Sequence, residues 1–495
     1  MPKFRYLFFL CLLICSNAAN ANFVFNDNCI KAYKNILSLK FNEGALQIQQ
    51  EKKINPSNKI PVLLENYIDF LKVLTTETNA SFETLKSNKS KRLDLIASDD
   101  ASSPWYLYVE AEINLQSCIN RFKYQEFISG AYELQKAYKL LEENQHKFPD
   151  FLPNKKSFAL LYGLIGMVPE QYKWALSSIG LKGNVEQGAA MLEDLTQKLP
   201  KSSYAFLYDE SAFFLSFIYL SKEGDLGAFD KIKNVCDVIP NTNLLGVYIK
   251  ALAASKTGHT DEAIQLLMER PKSSAYASFF HLDYLLGLCK INRFDNDAAN
   301  YFESYLKNYT GNFNIKDSYL KIAWFHLLRG NIDKYNAYIS LCKVRGQAIS
   351  EKDKDAQNLC LQVYPPDLSL LKARLYFDGG YYDKALLSLK DKKASSFTLT
   401  KEKLEYLYRL GRIYHQQNRI EQAIMFYTST VSTGLNMPYY FAANASLQLG
   451  YIYEYKKNYP KAQYYYSLCS QMKNEEYKNS IETKAKAGLR RVAKQ

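Results

Sequence analysis

Between Leu407 and Cys469 the chain repeats itself. The first copy reads LYRLGRIYHQQNRIEQAIMFYTST, and after a longer connection the second reads LQLGYIYEYKKNYPKAQYYYSLC. Each places a Leu-Gly pair, a Tyr three residues on, an Ala nine later and a Tyr four beyond that. These are Leu410, Gly411, Tyr414, Ala423 and Tyr427, then Leu449, Gly450, Tyr453, Ala462 and Tyr466. Apolar residues at helical spacing on both sides of a polar turn describe two helices folded back on each other. Gly and Ala fall where the helices approach too closely for a large side chain. The Tyr positions are expected to fill the gap between one hairpin and the next. A single hairpin cannot bury its apolar face alone, so the repeat constrains the chain to a stacked series.

The same phase extends upstream. The first small position recurs at Ser216, Ala251, Gly287, Ala323, Ala373, Gly411 and Gly450. The second recurs twelve residues after each, at Ala228, Ala263, Ala299, Tyr335, Ala385, Ala423 and Ala462, with Tyr335 the one exception. An enlarged interval between Ala323 and Ala373 marks an insertion, roughly Arg345 to Gln357, whose charged composition predicts a surface loop. Seven hairpins in series predict a superhelix whose inner wall is built from first helices. The organisation reads as a leader (1–21), an N-terminal helical region of degenerate repeats or a cap (22–155), and an apolar helical block with a Gly-rich turn (156–205). The solenoid (206–475) and a basic C-terminal helix (476–495) follow.

These residues carry two resemblances. The second half resembles tetratricopeptide-repeat (TPR) proteins, most closely over Leu404 to Cys469. The block LYGLIGMVPEQYKWALSSIGLKGNVEQGAAMLEDL looks like the hallmark of the inclusion-body-clearance-type TPR proteins, through Pro169, Gly180, Gly183, Glu186, Gln187 and Gly188. SAFFLSFIYL (Ser211 to Leu220) fits the same layout. The fold class expected is all-α, a right-handed superhelical solenoid of TPR-like hairpins. The resemblance implies a non-enzymatic adaptor and supplies no catalytic residue.

The N-terminus combines Lys3 and Arg5, an apolar run from Tyr6 to Ile14 and a small-residue site at Ala19-Asn20-Ala21. That is the pattern of an export signal cleaved after Ala21, and it predicts a periplasmic location. The apolar run is shorter than the roughly 20 residues a spanning helix needs. Losing Lys3 and Arg5 lowers the net charge from +13 to +11. The remaining lysines are scattered apart from the tail (Lys484, Lys486, Arg490, Arg491 and Lys494), so no nucleic-acid partner is expected.

No H-E-x-x-H, C-x-x-C or G-x-S-x-G occurs, so no enzyme, metal or cofactor is expected. What remains is recognition. First-helix residues six and three before the small position, and one, four and five after it, should face the groove. In the last three repeats these give Arg374, Phe377, Tyr408, Arg412, His415, Tyr451, Glu454 and Tyr455 as the candidate site for a protein or peptide partner. The alternative is a peripheral membrane protein using the apolar block 158–181 and the basic tail. Cys342 and Cys360, flanking the insertion, are a candidate disulfide for an oxidising compartment, with Cys29 and Cys118 a second pair.

Overall fold

The computed structural model describes residues 22–97, 102–168, 174, 181, 183–221 and 227–493. The proposed leader, Pro169 and Gly180 lie outside them. Among the described residues there are helices and no strand. The pairs run α1 (Asp27–Leu37) with α2 (Phe41–Ile54), α3 (Ile60–Thr76) with α4 (Asn79–Ile96), and α5 (Pro104–Lys123) with α6 (Phe127–Lys147). Next come α7 (Leu152–Met167) with α8 (Val185–Lys198), α9 (Tyr208–Ser221) with α10 (Ala228–Cys236), and α11 (Leu244–Lys256) with α12 (Thr260–Glu269). They continue as α13 (His281–Arg293) with α14 (Ala298–Asn308), and α15 (Ile315–Leu327) with α16 (Ile332–Val344). A lone α17 (Glu351–Cys360) precedes α18 (Leu368–Asp378) with α19 (Tyr382–Leu387). Last are α20 (Thr400–Gln416) with α21 (Ile420–Gly434), α22 (Tyr440–Tyr455) with α23 (Tyr459–Gln471), and the final α24 (Lys478–Val492). From α1 to α15, and again from α18 to α22, each first helix packs on the first helix of the next pair, which makes first helices the inner wall. The chain is an all-α, TPR-type helical solenoid.

The small positions are where the hairpins close. A Cβ at Gly411 would lie 2.6 Å from the Tyr427 ring, and one at Gly450 would overlap the ring of Tyr466. These tyrosines therefore fill space inside their own hairpin, although the Tyr466 ring also covers Gly488 of α24. Tyr414 stacks on Phe426 and Tyr453 on Tyr465, both at 5.5 Å and within one hairpin. The expectation that tyrosines bridge successive hairpins thus needs correcting. Glycine leaves a slot on the first helix, and the nearest large ring comes from the second helix of the same pair. Gly188 serves a similar close approach upstream, since a Cβ there would sit 2.6 Å from the Ala159 carbonyl oxygen.

The insertion is a helix rather than a surface loop. Ser350 caps it by accepting from the Asp353 amide, and Asp353, Ala356 and Cys360 are buried. Asp353 accepts from the backbone amides of Asn314 (2.7 Å), Lys316 (3.0 Å) and Asp317 (3.3 Å), the otherwise orphaned donors that open α15. A charge-dense run reads as solvated, but one of its carboxylates is consumed capping another helix. Beyond the insertion α18 leans across onto α13, where Tyr376 stacks on Phe294 at 4.3 Å.

The N-terminal half winds round a filled axis. Lys156 of α7 is fully buried, its ammonium 2.6 Å from Glu210 of α9, 3.3 Å from Glu112 of α5 and 3.1 Å from the Tyr67 hydroxyl of α3. Tyr33 of α1 donates to Glu210 at 2.5 Å and Ser157 to Glu112 at 2.5 Å. Five first helices therefore meet at one polar centre. A second junction, at buried Glu77, joins the end of α3 to Lys123, to the Tyr309 hydroxyl and to His281 at 3.4 Å. It fastens the second hairpin to the seventh.

No helix among the described residues is long and apolar enough to cross a membrane. In the apolar block Phe158, Leu160, Leu161, Ile165, Val168 and Leu181 are buried against neighbouring helices. Trp174, by contrast, is 62% exposed. The described part of that block therefore offers a lipid surface little more than one indole.

Two outcomes follow from this packing. Gly450→Leu forces its side chain into the Tyr466 ring and should destabilise the chain by about 3 kcal/mol or more in denaturant unfolding; a loss under 0.5 would contradict the close crossing. Lys156→Met strands two buried glutamates and should cost about 3–5 kcal/mol, while Lys156→Met combined with Glu112→Gln and Glu210→Gln recovers part of it.

Candidate partner groove

A row of cationic side chains runs along α15, α17, α18 and α20. Repeat geometry brings Lys321, Arg374, Arg409 and Arg412 there, and the inserted helix adds Lys352. Aromatic rings separate them. Lys321 lies over Trp324 at 4.1 Å and Arg374 over the same ring at 5.0 Å, while Lys352 lies over Tyr284 at 4.9 Å. The Arg412 guanidinium is 4.9 Å from the centre of the Phe377 ring. Tyr440 closes the row, edge-on to Tyr408 at 5.8 Å and to Tyr477 at 5.0 Å. On α20 the i, i+4 spacing puts Arg412 one turn beyond Tyr408, and its fork donates to the Tyr408 hydroxyl at 2.9 Å.

Charge is largely answered within the groove. Lys321 pairs with Asp317 (2.9 Å), Arg374 with Asp355 (3.1 Å) and Arg409 with Glu405 (2.9 Å). Two cations differ: among the described residues neither Lys352 nor Arg412 has a carboxylate within ion-pair distance. Desolvation by the groove walls, with Lys256 and Lys321 adding repulsion against the pull of Asp317, pushes the Lys352 amine down to about 8. Arg412 is half-buried, and its Nε is buried with no acceptor.

Of the residues read from the sequence, Phe377 and Tyr408 lie against Arg412 and Arg374 lies over Trp324, with Tyr408 only 2% exposed. His415 turns toward Tyr427, with Nδ1 3.4 Å from its hydroxyl, and burial, then Arg412, pushes its pKa down to about 4. Tyr451 packs edge-on to Tyr466 at 5.8 Å. Glu454 is held by Arg491 at 2.7 and 2.8 Å and by the Tyr466 hydroxyl at 2.5 Å. It therefore docks α24 onto the last hairpin. Tyr455 stands in solvent, 89% exposed.

Several residues of this row were missed, and some had a signal. The offsets used for the last three repeats, applied one and two repeats upstream, pick out Asp317 and Trp324 around Ala323, and Tyr284 around Gly287. Lys352 and Asp355 had none, because the insertion belongs to no repeat. No group of His, Cys, Asp and Glu among the described residues could hold a metal ion.

No family description matches the sequence, and no curated protein matches it. Solved structures with similar chains include the human IFIT1 dimer with PPP-AAAA, 14% identical, covering 83% of this chain and 95% of that one, at a TM-score of 0.34. The yeast Tom70 is 12% identical over 94% of this chain and 96% of its own, at a TM-score of 0.26. Cut9-Hcn1, the APC/C hetero-tetramer, is 12% identical over 96% and 99%, at a TM-score of 0.25. Superpositions this loose say nothing of what the chain binds.

The histidine supplies a pH test. A base whose folded pKa is depressed holds fewer protons folded than unfolded, so its stabilising effect is complete above about pH 6.5. It is lost as pH falls toward about 4. Across that window the thermal midpoint of the wild type should fall more steeply than that of His415→Asn; parallel curves would contradict the burial of His415.

Proposed function

We propose that the chain is a non-catalytic scaffold whose groove holds an extended, acidic segment of a partner protein. The observation that carries this is Arg412: a desolvated guanidinium with an unmet N–H, set between Phe377 and Tyr408. A planar fork beside aromatic rings suits a carboxylate neighbouring an aromatic residue, and Arg and Tyr dominate such anchors elsewhere. A polyanion is disfavoured, because Asp317, Asp355 and Glu405 sit beside three of the cations and would repel successive phosphates. The leader-like N-terminus and the inclusion-body-clearance-type block place this scaffold, in our reading, among exported TPR proteins acting in the periplasm.

Panning a random peptide library on the purified chain should enrich segments in which Asp or Glu adjoins an aromatic residue. Arg412→Gln should weaken the selected peptides at least about tenfold, since a charge-assisted hydrogen bond contributes about 1.5–3 kcal/mol. Arg412→Lys, which keeps the charge and loses the fork, should fall between. Selection of neutral or basic peptides, or equal affinity for wild type and Arg412→Gln, would sink the reading. Preferential binding of a single-stranded oligonucleotide would replace the protein partner with a polyanion.

A further inference from the structure

The inserted helix carries a second chemistry. Cys342 lies in the last turn of α16 and Cys360 is the last residue of α17. Both are buried, at 0% and 1% exposure, in one apolar cluster between α16 and α17. Cys342 Sγ also donates to the carbonyls of Lys316 (3.4 Å) and Ala356 (3.7 Å), and Cys360 Sγ to that of Gln357 (3.3 Å). All described cysteines are free and buried. The others have different surroundings: Cys29 sits 3.7 Å from Asn58, Cys236 3.2 Å from Ser216, and Cys118 near Glu133, Lys89 and Arg121. Cys29 and Cys118 are therefore not brought together. The facing pair spans the one element that interrupts the repeat, and that element bears Lys352 and Asp355.

We infer that Cys342 and Cys360 are a redox-active pair, and that oxidation to a disulfide locks α17 against α15 and α16 and thereby fixes one wall of the groove. The bond stands independently of the partner, whereas its effect on binding rests on the groove reading. Cys360 ends α17 beside exposed Leu361 and Val363, so opening of that last turn admits an oxidant to it first, and it is the entering nucleophile. Its thiolate attacks a small or protein disulfide, such as oxidised glutathione, forming a mixed disulfide and expelling one glutathione thiolate. Cys342 then gives up its proton and attacks the Cys360 sulfur, expelling the second. Two thiols lose two protons and two electrons, and the glutathione disulfide is reduced to two thiols.

The intervening sequence permits a direct test. Every tryptic site between the two cysteines (Lys343, Arg345, Lys352 and Lys354) lies inside the loop the bond would close. The chain is purified reduced, without residues 1–21, and incubated with oxidised glutathione. Limited trypsin should then leave a product that stays full-length on a non-reducing gel and splits on a reducing one. Mass mapping should find the Cys342 and Cys360 peptides joined, lighter by two hydrogens. Oxidation should raise the thermal midpoint by about 3 °C in the wild type and leave Cys360→Ala and Cys342→Ala unmoved. Cys342 still open to alkylation after oxidation, a glutathione adduct as the end product, or a bond to any other cysteine would overturn the pairing. With the bond mapped, library-selected acidic peptides should bind the oxidised and reduced forms with affinities at least threefold apart. A smaller difference overturns the locking of the groove. Peptides that bind neither form sink the groove reading instead and leave the mapped bond standing.

Discussion

An ammonium group shut away from water shapes this molecule more than any other contact. Lys156 has no exposed surface, and removing such an ion from water is offset only if partners supply both charge and hydrogen bonds. Glu112 and Glu210 supply the charge, while Tyr33, Tyr67 and Ser157 take up remaining positions on the carboxylates and the amine. These residues come from first helices of five different hairpins, so they can assemble only when the superhelix has wound to one particular pitch. A small change of pitch would leave a charge buried and unanswered, a far larger penalty than the loss of an apolar contact. The cluster thus acts as a gauge on winding. Glu77, gripping the seventh hairpin from the second, holds the same turn closed at its rim.

The C-terminal half is built on a different plan. There arginines and lysines lie against rings rather than in a closed ionic core. The inserted helix makes the transition. By capping α15 with Asp353 it ends one run of stacking, and the next hairpin then tilts onto α13. At the far end Arg491 and Glu454 seal the last apolar face beneath α24, which spares the solenoid an exposed hairpin surface.

Which of this could be read from the sequence depends on how local the cause is. Gly411 against Tyr427 and Gly450 against Tyr466 are contacts within one hairpin, sixteen residues apart, and their spacing alone sets the phase. The same phase brings Phe377 and Tyr408 against Arg412. Glu454 obeys the same offset yet is unavailable, because the helix that claims it lies beyond the last repeat, where no periodicity constrains it. The N-terminal hairpins resisted phasing for a related reason. Their first helices carry Tyr33, Tyr67, Glu112 and Lys156 at the axis, meeting Glu210 of the fifth hairpin, so the code there is polar and spread over more than 170 residues. Asp353 was misjudged because its partner amides belong to another hairpin.

On the proposed groove reading, the internal ion pairs decide what a ligand can gain there. A carboxylate arriving at Arg374 must share it with Asp355, and one arriving at Arg409 must share it with Glu405, so in each case a salt bridge is exchanged for a salt bridge. Such exchanges position a chain and contribute little net affinity. Arg412 is different, since its desolvation cost has already been met in folding and no carboxylate among the described residues lies within ion-pair distance of it. Binding energy should therefore concentrate at one point, with the flanking pairs setting register and rejecting uniformly charged polymers. Asp355 adds a further constraint, because it sits on the inserted helix and holds Arg374 only while that helix is seated. Whatever fixes α17 therefore also fixes how the rest of the wall is presented to a partner.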